Sequence, residues 1–230
     1  MIPEARKKTI LNDINSALEW VLGFYVYKGE CSMKGILFVL SGPSGTGKGT
    51  ICKELLNRNT DLYLSVSATT RECRKDEIPG VTYHYVSTDE FRRMIDNSEM
   101  LEYAMFNGNY YGTPKESVMK LLGEGKDVLL EIEPQGALQV KQLMPEAVLM
   151  FIIPPSMMEL KSRLIGRGRE TEEEIAERIN AAKWELAQAD KYSVHIINDE
   201  LDKCVEDVIA YIQQKREERV RIENLMNEEI

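Results

Sequence analysis

The sequence predicts an α/β protein in which helices flank a parallel sheet, interrupted by an inserted lobe and a lid. Three observations carry that reading. Short apolar runs of β type alternate with helical patterns along most of the 230 residues, an order that requires crossover connections and a parallel sheet. The runs are apolar throughout, as strands covered on both faces are. The first run ends in a glycine-rich turn that opens a helix, Ser41-Gly42-Pro43-Ser44-Gly45-Thr46-Gly47-Lys48-Gly49-Thr50.

The elements follow in chain order. Within residues 1–32, Ile10, Ile14, Leu18, Val21, Leu22 and Tyr25 recur at three-to-four spacing, which predicts an amphipathic helix over 9–27. Docking on the core is the expected use of its apolar face; self-association as a homodimer and contact with a membrane surface are the alternatives. Arg6-Lys7-Lys8 precedes apolar residues, but Asn12, Asp13, Asn15 and Glu19 interrupt them and no small-residue cleavage site follows, so a signal peptide is not expected. Met33 is a second candidate start.

The first strand is expected at Ile36–Leu40 and the first helix from about Lys48. Strand, glycine-rich turn and helix are the setting of a phosphate-binding loop. The loop Gly42, Pro43, Ser44, Gly45, Thr46 and Gly47 turns the backbone N–H groups of its non-proline residues toward phosphate oxygens, and the helix N-terminus adds partial positive charge. Lys48 supplies a cation for the phosphates. The fingerprint places Ser or Thr directly after the lysine; here Gly49 intervenes and Thr50 follows. The hydroxyl for Mg²⁺ then comes from Thr50, or water and phosphate hold the ion.

Residues 66–113, rich in Thr, Ser, Tyr, Arg and turn formers, predict a partly antiparallel inserted lobe with a strand-like piece at Val81–Val86. Further core strands are expected at Val128–Ile132, Val148–Ile153 and Val194–Ile197, with helices after Gly136, from about Ser156 and over the charged C-terminal region. Arg163, Arg167, Arg169 and Arg178 surround Gly166 and Gly168 between two helical patterns, which reads as a mobile lid.

Composition narrows the function. A net charge of −9 and a pI near 5.0 argue against broad nucleic-acid binding, which uses a basic surface. Cys31, Cys52, Cys73 and Cys204 show no metal-ligand or disulfide spacing, as in a reducing compartment. No apolar run approaches the roughly 20 residues of a membrane span. A cytoplasmic protein is expected.

The insert offers a second anion site. Arg71 and Arg74, three apart, are placed to grip one phosphate, with Tyr83 and Tyr111 as phenolic donors. Glu102 stands among apolar neighbours in Met100-Leu101-Glu102-Tyr103-Ala104. A carboxylate there matches the adjacent N1–H and N2–H₂ donors of guanine; a half-exposed strand glutamate is the plain alternative.

Four motifs occur in order after the phosphate loop: Ser65-Val66-Ser67-Ala68-Thr69-Thr70-Arg71, Glu90-Phe91, Asn109-Tyr110-Tyr111-Gly112-Thr113, and Gly166-Arg167-Gly168 with Thr171-Glu172-Glu173. In kind, order and spacing this set resembles guanylate kinase, from about Met33 to about Lys215. The resemblance implies a P-loop nucleoside-monophosphate kinase fold over 33–215. Its core would be 33–65, 114–162 and 179–215, its GMP-binding lobe 66–113 and its lid 163–178, followed by a charged helix end at 216–230. It implies ATP and GMP as substrates, with Mg²⁺. Ser67, Glu102 and Thr113 would contact guanine, and Arg71, Arg74, Tyr83 and Tyr111 the GMP phosphate. Lys48 would sit on the ATP phosphates, Asn198 near the adenine, and Arg163, Arg167 and Arg178 with Lys48 and Arg71 would carry catalysis. The family's acidic-x-Asp-x-Gln-Gly pattern is here Glu131-Ile132-Glu133-Pro134-Gln135-Gly136; Glu131 is placed with GMP and Glu133 with the metal.

The attacking group would be a phosphate oxygen that is largely dianionic at neutral pH, its second pKa being about 6. No general base is then needed, and His84 and His195 read as packing or surface residues. A non-catalytic guanylate-kinase-like binding module, which typically loses the loop lysine or lid arginines, and a kinase of another small phosphorylated acceptor are the alternatives.

Overall fold

The computed structural model describes residues 35–58, 60–106, 108–166 and 171–227. The N-terminal extension, Met33 and Arg167 lie outside these residues. Along the chain run β1 (Leu37–Ser41), α1 (Lys48–Asn57), β2 (Leu62–Leu64), β3 (Ala68–Thr69), β4 (His84–Tyr85), α2 (Thr88–Asp96), β5 (Met100–Phe106) and β6 (Asn109–Pro114). They are followed by α3 (Lys115–Gly123), β7 (Asp127–Glu131), α4 (Pro134–Leu143), β8 (Val148–Ile153), α5 (Met157–Gly166), α6 (Glu172–Leu186), β9 (Val194–Ile197) and α7 (Leu201–Met226).

The main sheet has strand order β2-β7-β1-β8-β9, and every pairing is parallel. Period-two alternation along β1 explains why its run is apolar at every position. Leu37 and Val39 enter one core with Val118 of α3 and Val140 of α4. Phe38 and Leu40 enter the other with Ile51 and Leu55 of α1 and Val205, Val208 and Ile212 of α7. Both neighbours of β1 are strands that arrive later in the chain, so its carboxyl end lies at a topological switch point, where ligands of open α/β sheets bind.

A second sheet, β4-β3-β6-β5, occupies the insert. β3 pairs parallel with β4 and antiparallel with β6, and β5 and β6 form a hairpin. Phe91 of α2 is fully buried beneath it and stacks on Tyr110 at 5.2 Å. Of the piece expected at Val81–Val86, His84–Tyr85 alone is a strand, preceded by turn residues and a lone Pro79–Tyr83 bridge. α4 begins at Pro134, ahead of the expected position after Gly136, because proline is pre-shaped for the first helical position.

α6 opens on a capping box, with Thr171 Oγ1 accepting from Glu174 N and Glu174 Oε2 accepting from Thr171 N. The helix then runs unbroken through Arg178 to Leu186. No described helix is long and apolar enough to cross a membrane.

Candidate active site

The turn between β1 and α1 is built by its glycines. Gly42 has φ of 142°, and a Cβ there would meet the Ile152 carbonyl oxygen at 2.3 Å. Gly47 has φ of 92° and serves as the N-cap of α1. The loop wraps around its own lysine: Lys48 Nζ donates to the carbonyls of Gly42 at 2.6 Å and Pro43 at 3.2 Å, and to Glu133 at 3.3 Å. Asn198, just past β9, donates its amide to Thr46 O at 2.7 Å, and Thr46 Oγ1 donates to Pro43 O at 2.8 Å. Beneath the loop, Tyr192 donates to Ser41 Oγ and packs on Phe151.

Helix α6 approaches from the far side. Arg178 Nη1 donates to Ser44 Oγ at 2.9 Å. Glu185, seven residues on and so on the same face, accepts a hydrogen bond from the Ser44 backbone. Burial, and then the neighbouring Glu133 charge, push Glu185 up to about 7, while Lys48, Ser44 N–H and Arg178 oppose the shift. Arg163 pairs with Glu159 one turn away at 2.9 Å.

In the insert, Arg71 forms a two-point pair with Glu77, Nη2–Oε1 at 2.7 Å and Nη1–Oε2 at 2.9 Å. Glu77 Oε2 also accepts from Tyr85 OH and Arg74 N, each at 2.8 Å. The Arg71 hydrogen bond holds the Glu77 carboxyl down to about 2. Tyr83 and Tyr85 surround the guanidinium at 5.5 and 5.9 Å, and Tyr111 adds a further hydrogen bond. Burial and then the Glu131 carboxylate raise the Tyr83 phenol. Arg74 is exposed.

Glu102 on β5 is buried, 5% exposed, opposite Thr113 on β6. Thr113 Oγ1 donates to Glu102 Oε1 at 2.7 Å. Burial lifts this carboxyl to about 7 against the opposing Thr113 hydrogen bonds. Gly136 of α4 makes the room, since a Cβ there would meet Glu102 Oε2 at 2.4 Å. Gln139 fastens the β5 edge to α4, accepting from Tyr103 N and donating to Tyr103 O.

Carboxylates stand between the two regions. Glu131 ends β7, its Oε1 3.3 Å from where a Gly49 Cβ would lie, and hydrogen-bonds the buried Cys52 thiol. Glu133 follows against Lys48. Among the described residues no cluster of three or more His, Cys, Asp or Glu side chains forms a metal cage. The donor set fits a magnesium ion held by phosphate oxygens, water and one or two carboxylates, the usual arrangement for Mg²⁺ with nucleotides.

The family model described as guanylate kinase matches residues 34–215. The chain belongs to the guanylate kinase family. Among the relatives that bear the name "Guanylate kinase" are two bacterial proteins. That of Clostridioides difficile (strain 630) is 47% identical over 195 residues, covering 85% of this chain and 95% of its own. That of Caldanaerobacter subterraneus subsp. tengcongensis is 52% identical over 179 residues, covering 78% and 87%. The crystal structure of guanylate kinase from Anaplasma phagocytophilum superimposes with a TM-score of 0.66 at 30% identity, covering 80% of this chain and 87% of its own.

In this guanylate kinase-family chain the fold sorts the expected residues into two groups. Gly42 to Thr50, Arg178 and Glu133 gather around the loop, with Thr50 exposed on the first turn of α1. Asn198, expected near an adenine, is buried and holds the Thr46 carbonyl. Ser67, Arg71, Arg74, Tyr83, Glu102, Tyr111 and Thr113 all sit in the insert, and Ser67 ties β4 through its carbonyl to His84 N. Glu131 lies between the groups. The sequence reading passed over Glu77 and Glu185. The signals available were spacing alone: Glu77 stands three residues after Arg74, and Glu185 seven after Arg178.

Proposed function

We infer that this protein transfers the γ-phosphoryl group of ATP to GMP, giving ADP and GDP. The observation that carries the reading is the buried Glu102–Thr113 pair on a lobe joined to a lysine-bearing phosphate loop. Guanine offers two adjacent donors to a carboxylate, whereas adenine offers no such pair. Burying a carboxylate costs more than the Thr113 hydrogen bonds return, so Glu102 is best explained by a ligand that repays its desolvation with two further hydrogen bonds.

Phosphoryl transfer through a loose transition state needs alignment and charge neutralisation more than covalent chemistry. Lys48 and the loop N–H groups would hold the ATP phosphates. Arg71, Tyr83 and Tyr111, with Arg74 swinging in from solvent, would hold the GMP phosphate. Arg178 beside Ser44 would neutralise developing charge, with Arg163 and Arg167 completing the lid. Thr50, Glu131 and Glu133 would hold a Mg²⁺ together with phosphate and water; when bound, the ion screens the phosphate charges. Free nucleotides in the cytoplasm, rather than nucleic acid, suit the net charge of −9.

The test is ADP release from ATP across GMP, dGMP, AMP, CMP and UMP. Turnover is expected with GMP, and removing the loop cation by Lys48→Ala should reduce it by about three orders of magnitude with the fold intact. Equal turnover with AMP, or none with any acceptor, would refute the assignment.

A further inference from the structure

Phe106 is an aromatic side chain with no core to fill. It ends β5 at the hairpin tip, paired with Asn109, and is 48% exposed. Its ring lies beneath the Arg178 guanidinium, with Cζ 5.4 Å from the ring centroid. The same guanidinium donates to Ser44 Oγ. Arg178 thus touches the phosphate loop and the second sheet at once. Glu102 lies four residues earlier on β5 and, by the period of a strand, on the same face as Phe106. The strand between them is fixed from the side by Gln139.

We propose that Phe106 is a positioning residue: its ring holds Arg178 at the phosphate loop, so that the strand carrying the base-reading carboxylate also sets the charge-neutralising arginine. The proposal rests on the GMP reading above and adds to it a link between acceptor lobe and transfer centre. A cation within about 6 Å of an aromatic face is attracted by the ring quadrupole. The Ser44 hydrogen bond fixes one nitrogen of the guanidinium, and the ring beneath it narrows further the rotamers from which the charge reaches the reacting phosphate. An arginine whose charge matters mainly in the transition state acts on kcat, leaving ground-state binding of GMP unchanged. Leucine fills similar space without a quadrupole, and tyrosine keeps the ring.

The experiment compares Phe106→Leu and Phe106→Tyr in the full chain with ATP and GMP. Phe106→Leu should lower kcat about fivefold and Phe106→Tyr less than about twofold, the loss expected of one half-exposed cation–ring contact. KM for GMP and the melting temperature should stay at wild-type values in both. In an Arg178→Ala background, Phe106→Leu should cost nothing more, because residues acting through one another are not additive. Wild-type kcat in Phe106→Leu, an equal loss in Phe106→Tyr, a change confined to KM, a melting-temperature drop shared by both variants, or full additivity with Arg178→Ala would each overturn the proposal. Failure of the wild-type protein itself to phosphorylate GMP would instead overturn the reading on which it rests.

Discussion

Glu102 shows at the scale of one residue what the proposed base-reading site costs the fold. Its carboxyl ionises near 7 in the folded protein against 4.5 ordinarily, so the folded state binds the proton more tightly than the unfolded chain. Stability therefore declines as pH rises from about 4.5 to 7, and the full penalty of the buried charge is present above both values. Glu102→Gln keeps the shape and still accepts from Thr113, so it should be more stable than wild type by about 2 kcal/mol near pH 8. It should also lower kcat/KM for GMP by about a hundredfold or more, because a guanine donor then faces an amide N–H₂. Thermal melts across pH and steady-state rates test both halves; a variant that is less stable yet active would contradict them. Glu77 illustrates the opposite balance. Its carboxylate is satisfied by Arg71, Tyr85 and the Arg74 N–H. A glutamate in a charged stretch looks like solvated surface, and its three-residue spacing from Arg74 was too weak a signal to separate it from Glu72 or Asp76.

At the scale of elements, the loop after β1 depends on a partner from the other end of the domain. The Asn198 amide is the buried donor to Thr46 O, and it arrives there because β9 pairs with β8 and ends level with it. Asn198→Ala leaves that carbonyl unpaired, at a cost of about 1–3 kcal/mol, and should raise KM for ATP more than KM for GMP. Equal effects on both substrates, or none on stability, would speak against a bracing role. The long apolar strands were legible because burial on two faces writes itself as an unbroken run; β8 and β9 fall where their runs do. β2 is three residues at a sheet edge, with Leu62 alone buried, too short for any period to register. α2 buries Phe91 fully and packs half-buried Met94 and Ile95 into the same cluster, an i, i+3, i+4 stripe that, with the Ser87 cap accepting from Glu90 N, was readable in principle. The Glu185–Ser44 contact needed the docking of α6 on the loop, a tertiary fact no local window contains.

At the scale of the molecule, a glycine-rich loop at the switch point of a parallel sheet is joined to a small mixed-sheet lobe that carries Arg71 and Glu102, proposed above as the second anion site and the base-reading edge. Glu131 and Glu133 stand between them, and Arg178 reaches both. In the proposed complex two polyanions held end to end would repel each other, and the cations along this line would offset that repulsion. Enclosure of the reacting phosphate also decides whether water or GMP receives it. The most direct measurement follows the label from γ-labelled ATP mixed with GMP and the full chain. One labelled β-phosphate of GDP should appear for each ADP released. Label emerging as inorganic phosphate, with GMP unchanged, would contradict the account.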